Sequence, residues 1–76
     1  GREAPPPDRT AEALSVLGLA PGASAIEIKQ AWRRLSKENH PDRVTHLGEE
    51  FRRVAEERMR RINAAYDTLK ASGLAT

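Results

Sequence analysis

The fold of this chain is decided by the stretch from Glu27 to Arg43, which reads EIKQAWRRLSKENHPDR. It begins with a helical pattern of apolar and basic residues and ends on the tripeptide His40-Pro41-Asp42 and one further arginine. Proline lacks a backbone N–H, and its ring clashes with the preceding turn, so Pro41 predicts a helix that ends at Asn39 or His40. His40 and Asp42 are therefore expected on a loop.

The segment before the tripeptide predicts an amphipathic helix that starts at Ala25. Ser24 and Glu27 have the spacing of a capping box, in which each side chain accepts a hydrogen bond from the backbone N–H of the other residue. On a helical wheel of about 100° per residue, the apolar and basic side chains fall on different sides. The apolar residues are Ile28, Ala31, Trp32 and Leu35, and the basic residues are Lys29, Arg33, Arg34 and Lys37.

A longer helical pattern runs from Glu49 to Ser72. Its apolar residues recur at steps of three and four, which no strand could produce; they are Phe51, Val54, Ala55, Met59, Ile62, Ala65, Tyr66 and Leu69. Trp32 lies at the border of the apolar and basic faces of the preceding helix, and we expect it to pack near Ala55, Met59 or Ile62. The charged residues of the long helix form i,i+4 pairs of opposite sign, which indicate a self-neutralising solvated face.

The rest of the chain predicts a linker, a short first helix and a tail. Residues 1–9 contain three consecutive prolines and are interpreted as a flexible linker. A helix of about two turns follows, capped by Thr10 or Asp8 and ended by Gly18. We therefore expect an all-α domain over residues 10–72, in which an antiparallel hairpin of the second and third helices is closed by the first helix. Residues 73–76 are expected to fray after Gly73 ends the third helix.

Composition restricts the classes of protein to consider. A chain of 76 residues with 38% hydrophobic and 32% charged content predicts one small domain with a thin core, to which the aromatic residues Trp32, Phe51 and Tyr66 contribute. It has no cysteine, hence no disulfide, and this favours a cytoplasmic location. No apolar run approaches the roughly 20 residues of a membrane span. We expect a monomer that makes no membrane contact through this segment, although a longer parent protein could be anchored elsewhere.

Four segments, in the right order, make the chain resemble a J-domain, the co-chaperone module of the DnaJ family. They are the opening helix around Leu14, Leu17 and Gly18, the basic second helix, the loop His40-Pro41-Asp42-Arg43, and the stretch from Ala55 to Tyr66. The likeness covers Thr10 to Ser72. Within the family the chain is most similar to the C-terminal J-domain of DjlA-type proteins, because of the extended loop and early helix start from His46 to Phe51.

The resemblance implies a function without chemistry of its own. A J-domain docks on a DnaK-type chaperone and stimulates ATP hydrolysis by that partner, so the chain is not expected to be an enzyme or to need a cofactor or metal. Asp42 would accept a charge-assisted hydrogen bond from a partner arginine, while His40 and Pro41 hold the loop. The other expected partner-binding residues are Lys29, Trp32, Arg33, Arg34, Lys37 and Arg43. Glu38 and Asn39 depart from the family pattern, which has basic and aromatic residues there.

Other interpretations of the same residues remain. Pro41 and Asp42 could form a plain helix-ending turn in which Asp42 bonds its own backbone, and the basic residues could be a solvated face. A His40/Asp42 catalytic dyad has no accompanying nucleophile, and a metal site at His40 and His46 has no further ligands.

The main rival function is that of a small basic helical nucleic-acid-binding module. Helix-turn-helix proteins join their helices by three or four residues, whereas Asp42 to Gly48 is longer and contains an acid. We therefore expect no nucleic-acid partner. A plain dimerising hairpin is the third class, for which Asp42 would be irrelevant.

Overall fold

The computed structural model describes residues 9–75, which form three α-helices. They are α1 (Arg9–Val16), α2 (Ala25–Glu38) and α3 (Glu49–Ala71), and single 3-10 turns at Pro41–Arg43 and Thr45–Leu47 connect α2 to α3. No strand occurs within this range, so the predicted all-α fold is confirmed. The structure of the predicted linker up to Asp8 lies outside the described residues.

Helix α2 begins where the sequence predicts. The Ser24 side chain accepts from the backbone N–H of Glu27 at 3.1 Å, and the Glu27 carboxylate accepts from the backbone N–H of Ser24 at 2.8 Å. Both bonds of the predicted capping box are therefore present. By contrast, Thr10 lies inside α1, which already includes Arg9. The alternative cap, Asp8, lies outside the described residues.

The ends of α1 and α3 share one local geometry. Gly18 and Gly73 have φ angles of +76° and +80°, a region that L side chains rarely adopt. The following residue then folds back, so that the N–H of Leu19 donates to the carbonyl of Leu14 at 2.8 Å and that of Leu74 to the carbonyl of Leu69 at 2.9 Å. This six-to-one bond is the Schellman closure of a helix.

The core lies where the three helices meet. Leu17, Ile28 and Leu69 are fully buried, one each from the α1 end, α2 and α3. Around them the buried cluster also contains Ala13, Leu14, Ala31, Ile62, Ala65, Tyr66 and Ala75. Ala75 belongs to the predicted frayed tail, yet it is 6% exposed and its N–H donates to the carbonyl of Leu69 at 3.2 Å. The chain reversal at Gly73 brings it back onto the core.

Helices α2 and α3 run antiparallel, as their contacts show. Trp32 meets Asn63 and Tyr66, and further along α2 Asn39 meets Arg58, which lies earlier in α3. Since α2 ends at Glu38, the part of α3 before Arg58 extends past the end of α2.

This offset explains why two residues of the predicted apolar stripe are not buried. Phe51 and Val54 are 53% and 51% exposed, because they lie in the part of α3 that extends past the end of α2. The expectation that Phe51 contributes to the core was wrong. The stripe is buried only from Ala55 onward, with Met59 half-buried.

None of the helices in residues 9–75 combines the length and the apolar character needed to cross a bilayer.

Candidate partner-docking surface

The tripeptide loop starts from a firmly ended helix. Asn39 closes α2, since both its backbone N–H and its side-chain Nδ2 donate to the carbonyl of Leu35 at 2.9 Å. Pro41 then opens the 3-10 turn Pro41–Arg43. A proline at the first position of a turn costs no hydrogen bond, because the N–H it lacks would have no partner there.

His40 caps this turn. Its Nδ1 accepts from the backbone N–H of Asp42 at 3.2 Å, and its carbonyl accepts from the N–H of Arg43 at 3.0 Å. On the other side of the turn, the Thr45 hydroxyl donates to the carbonyl of Asp42 at 3.3 Å. The Nδ1 atom can accept this bond only while it carries no proton. The two bonds accepted by His40, from the N–H groups of Asp42 and Arg43, are those by which it would hold the shape of the loop.

The Asp42 carboxylate points to solvent, with 86% of its side chain exposed. The nearest basic side chain in residues 9–75 is that of His40, whose Nδ1 lies 3.7 Å from Oδ2, too far for a hydrogen bond. A plain Asp42 turn would need the carboxylate to bond its own backbone, but His40 performs the capping here. The carboxylate oxygens therefore remain accessible to a donor on a partner protein. Hydrogen bonds with His40 and Thr45 hold the backbone of Asp42 in place.

Three of the four basic residues of α2 follow one line along the helix. Lys29, Arg33 and Lys37 are spaced at i, i+4 and i+8, and the last of them is in the final turn before the tripeptide. Arg34 lies to one side, where it lines a shallow cleft with Leu19. No carboxylate of residues 9–75 lies within 4.0 Å of any of the four. Their positive charge is thus uncompensated at short range.

Trp32 packs against α3, with Tyr66 and Asn63 as its stacking and hydrogen-bond partners. It is half-buried as expected, and its indole stacks on the ring of Tyr66, with centroids 4.4 Å apart and planes inclined by 5°. Its Nε1 donates to Oδ1 of Asn63 at 3.0 Å. Of the predicted neighbours Ala55, Met59 and Ile62, Ile62 belongs to the buried cluster against which both Trp32 and Met59 pack. An indole N–H at a border usually finds an acceptor, and that rule would have pointed to Asn63.

The remaining expected site residue, Arg43, is exposed and directly follows Asp42 in the same turn. The structure thus brings the tripeptide, Arg43 and Lys37 together at one end of α2. Lys29, Trp32 and Arg33 lie further from the loop along the same helix.

In residues 9–75, no three His, Cys, Asp or Glu side chains are grouped so that they could hold a metal ion.

Comparison with known proteins gives one family. The profile of the DnaJ domain matches residues 12–73. The co-chaperone protein DjlA of Vibrio vulnificus is 38% identical over 65 residues, which cover 83% of this chain and 23% of that protein. The chaperone protein DnaJ of Rhodobacter capsulatus is 47% identical over 55 residues, or 72% of this chain and 13% of that protein.

A shorter relative is the adaptation to cold protein J of Shewanella oneidensis. It is 40% identical over 56 residues, which cover 74% of this chain and 60% of that protein. The chain therefore spans only about a quarter of the length of the DjlA co-chaperones it matches. No solved structure matches.

Proposed function

Since the chain belongs to the DnaJ domain family and is similar to the J-domain of DjlA co-chaperones, we propose that it docks on a DnaK-type chaperone and stimulates ATP hydrolysis by that partner. The observation that carries the proposal is the exposed Asp42 carboxylate on a turn capped by His40. Such a group can accept a charge-assisted hydrogen bond from a partner arginine, with little loop ordering left to occur on binding.

The chain itself would act by coupling and not by chemistry. A bound protein can shift its partner between conformations only if it binds one of them more tightly. Asp42 would supply this difference in affinity if the partner arginine that it binds is accessible in only one conformation of the partner. The basic line on α2 would attract an acidic surface and orient the approach, since charge complementarity mainly affects association rate and specificity.

The direct test is a steady-state ATPase assay with a purified DnaK-type chaperone and this chain. We expect the rate to rise with the concentration of the chain and to saturate. A rate that stays at the basal level over the whole titration would contradict the proposed function. We expect the partner to meet this domain in the cytoplasm, whatever else the parent protein contains.

Reversing two charges of α2 tests the docking face. The double variant Arg33→Glu with Arg34→Glu should weaken binding to the DnaK-type partner by on the order of 10- to 100-fold, because attraction to an acidic surface becomes repulsion. Binding of the unmodified chain should also weaken as salt rises. Both are measured by titration calorimetry or fluorescence anisotropy.

A matched control makes the same change in net charge elsewhere. Arg9 and Arg61 are exposed and line the cleft between α1 and α3, so reversing both also takes the formal charge from +2 to −2. This control should bind within a few-fold of the unmodified chain. If both double variants lose affinity equally, only overall charge matters; if neither does, the basic face of α2 is merely solvated.

A further inference from the structure

Beside the tripeptide loop lies an apolar groove that neither the core nor the proposed contacts of Asp42 use. It encloses about 310 Å³ between the end of α2 and the first turns of α3. Its walls are apolar for the most part and include Glu38, Asn39, His40, Phe51, Val54 and Arg58. The groove therefore shares one residue, His40, with the tripeptide.

Two large side chains of this groove are left half-exposed. Phe51 and Val54 are 53% and 51% exposed, one turn apart on the same helix. A single exposed aliphatic residue such as Ile26 is ordinary on a protein surface. Two neighbouring exposed apolar side chains beside a cavity with a polar rim are typical of a binding site.

The rim of the groove contains the guanidinium of Arg58, which makes only one long hydrogen bond within the described residues. Nη1 of Arg58 lies 3.5 Å from Oδ1 of Asn39, at the outer limit of a hydrogen bond. No carboxylate of residues 9–75 lies within 4.0 Å of this guanidinium. The groove thus offers an apolar floor next to an arginine that could bind a carboxylate in a bidentate manner.

We propose that this groove is a second site at which the chain binds the DnaK-type partner. It would hold an apolar side chain of the partner that has an acidic residue next to it. The proposal rests on the proposed function. A partner engaged at His40 and Asp42 already lies against the groove, so the added contact costs little further loss of freedom.

A second copy of this chain is a poorer occupant. Phe51 and Val54 together offer on the order of 200 Å² of apolar surface. A stable dimer needs about 800 Å² per partner. The groove is too small to hold two copies together, but large enough to add to contacts made elsewhere.

The test uses Phe51→Ser with Val54→Ser, and Ile26→Ser as the matched loss of an exposed aliphatic residue far from the groove. We expect the double variant to keep its helicity and to need a concentration five- to tenfold higher for half-maximal ATPase stimulation. The maximal stimulation should stay unchanged, because Asp42 is intact. Ile26→Ser should behave like the unmodified chain. Arg58→Gln should raise the half-maximal concentration about threefold.

The outcomes separate this inference from the proposed function. If the double variant stimulates at the same half-maximal concentration as Ile26→Ser, while Asp42→Asn stimulates no longer, the groove is not a docking site and the proposed function stands. If the unmodified chain does not stimulate at all, the proposed function fails first. A mass in sedimentation that rises with concentration, and is lost in the double variant, would assign the groove to a second copy and overturn the proposal.

Discussion

Asp42→Asn is expected to abolish ATPase stimulation of a DnaK-type partner, with stimulation falling to within error of the basal rate. The change removes a negative charge and one acceptor oxygen from a side chain that is 86% exposed. A neutral amide cannot form a charge-assisted pair with an arginine, and such pairs are roughly twice as strong as neutral hydrogen bonds. Coupling to the partner should therefore be lost more completely than affinity.

The same variant should leave the fold intact. The turn is held by the backbone N–H of Asp42 and by its carbonyl, and both remain in the asparagine variant. Its thermal midpoint should match that of the unmodified chain within about 4 °C, because substitutions at exposed sites usually change the unfolding free energy by no more than about 0.5 kcal/mol. Circular dichroism measures the midpoint, and the steady-state ATPase assay measures stimulation.

Two outcomes would contradict this account of Asp42. Full stimulation by a folded Asp42→Asn variant would remove the carboxylate from the mechanism. A variant that unfolds would show that the carboxylate supports the loop, as in the plain-turn interpretation. Thr45→Ala is a suitable control, since it removes the hydroxyl that donates to the Asp42 carbonyl and leaves the carboxylate in place.

The features that follow from local chemistry could be read from the sequence. Pro41 ends α2, Ser24 and Glu27 start it, and Gly73 ends α3, each through interactions within a few residues. The exposure of Asp42 also follows locally, since a residue after a helix-breaking proline lies on a loop. None of these depends on how the helices pack.

The features that were missed depend on the offset between helices. Periodicity places Phe51 on the same face as Ile62, but it cannot tell how far α2 extends along α3. Because Asn39 lies opposite Arg58, the first turns of α3 extend past the end of α2, and Phe51 stays half-exposed. The groove next to His40 is a consequence of this offset.

The stacking and hydrogen-bond partners of Trp32 were not predicted, for a related reason. A helical wheel gives the direction in which the ring points but not its position along the facing helix. The ring contacts Asn63 and Tyr66, which lie further along α3 than the predicted Ala55, Met59 and Ile62. Tyr66 is itself 6% exposed, and the Lys70 ammonium lies 5.5 Å from its ring centroid. The indole is thus stacked on a side chain that belongs to the core.

Trp32→Ala is expected to cost about 2 to 4 kcal/mol of unfolding free energy, since it removes a large ring stacked on the core and leaves Tyr66 uncovered. For a domain of this size, that loss should lower the thermal midpoint by on the order of 10 to 25 °C. Trp32→Phe is the matched control, because it keeps an aromatic ring over Tyr66 and loses only the bond to the exposed Asn63. It should cost about 1 kcal/mol.

Thermal unfolding followed by circular dichroism measures the stability of both variants, and binding to the DnaK-type partner is titrated at a temperature where both variants are folded. Under that condition Trp32→Ala should retain most of its affinity. If it melts like the unmodified chain but no longer binds, the ring serves the docking surface first and the core second.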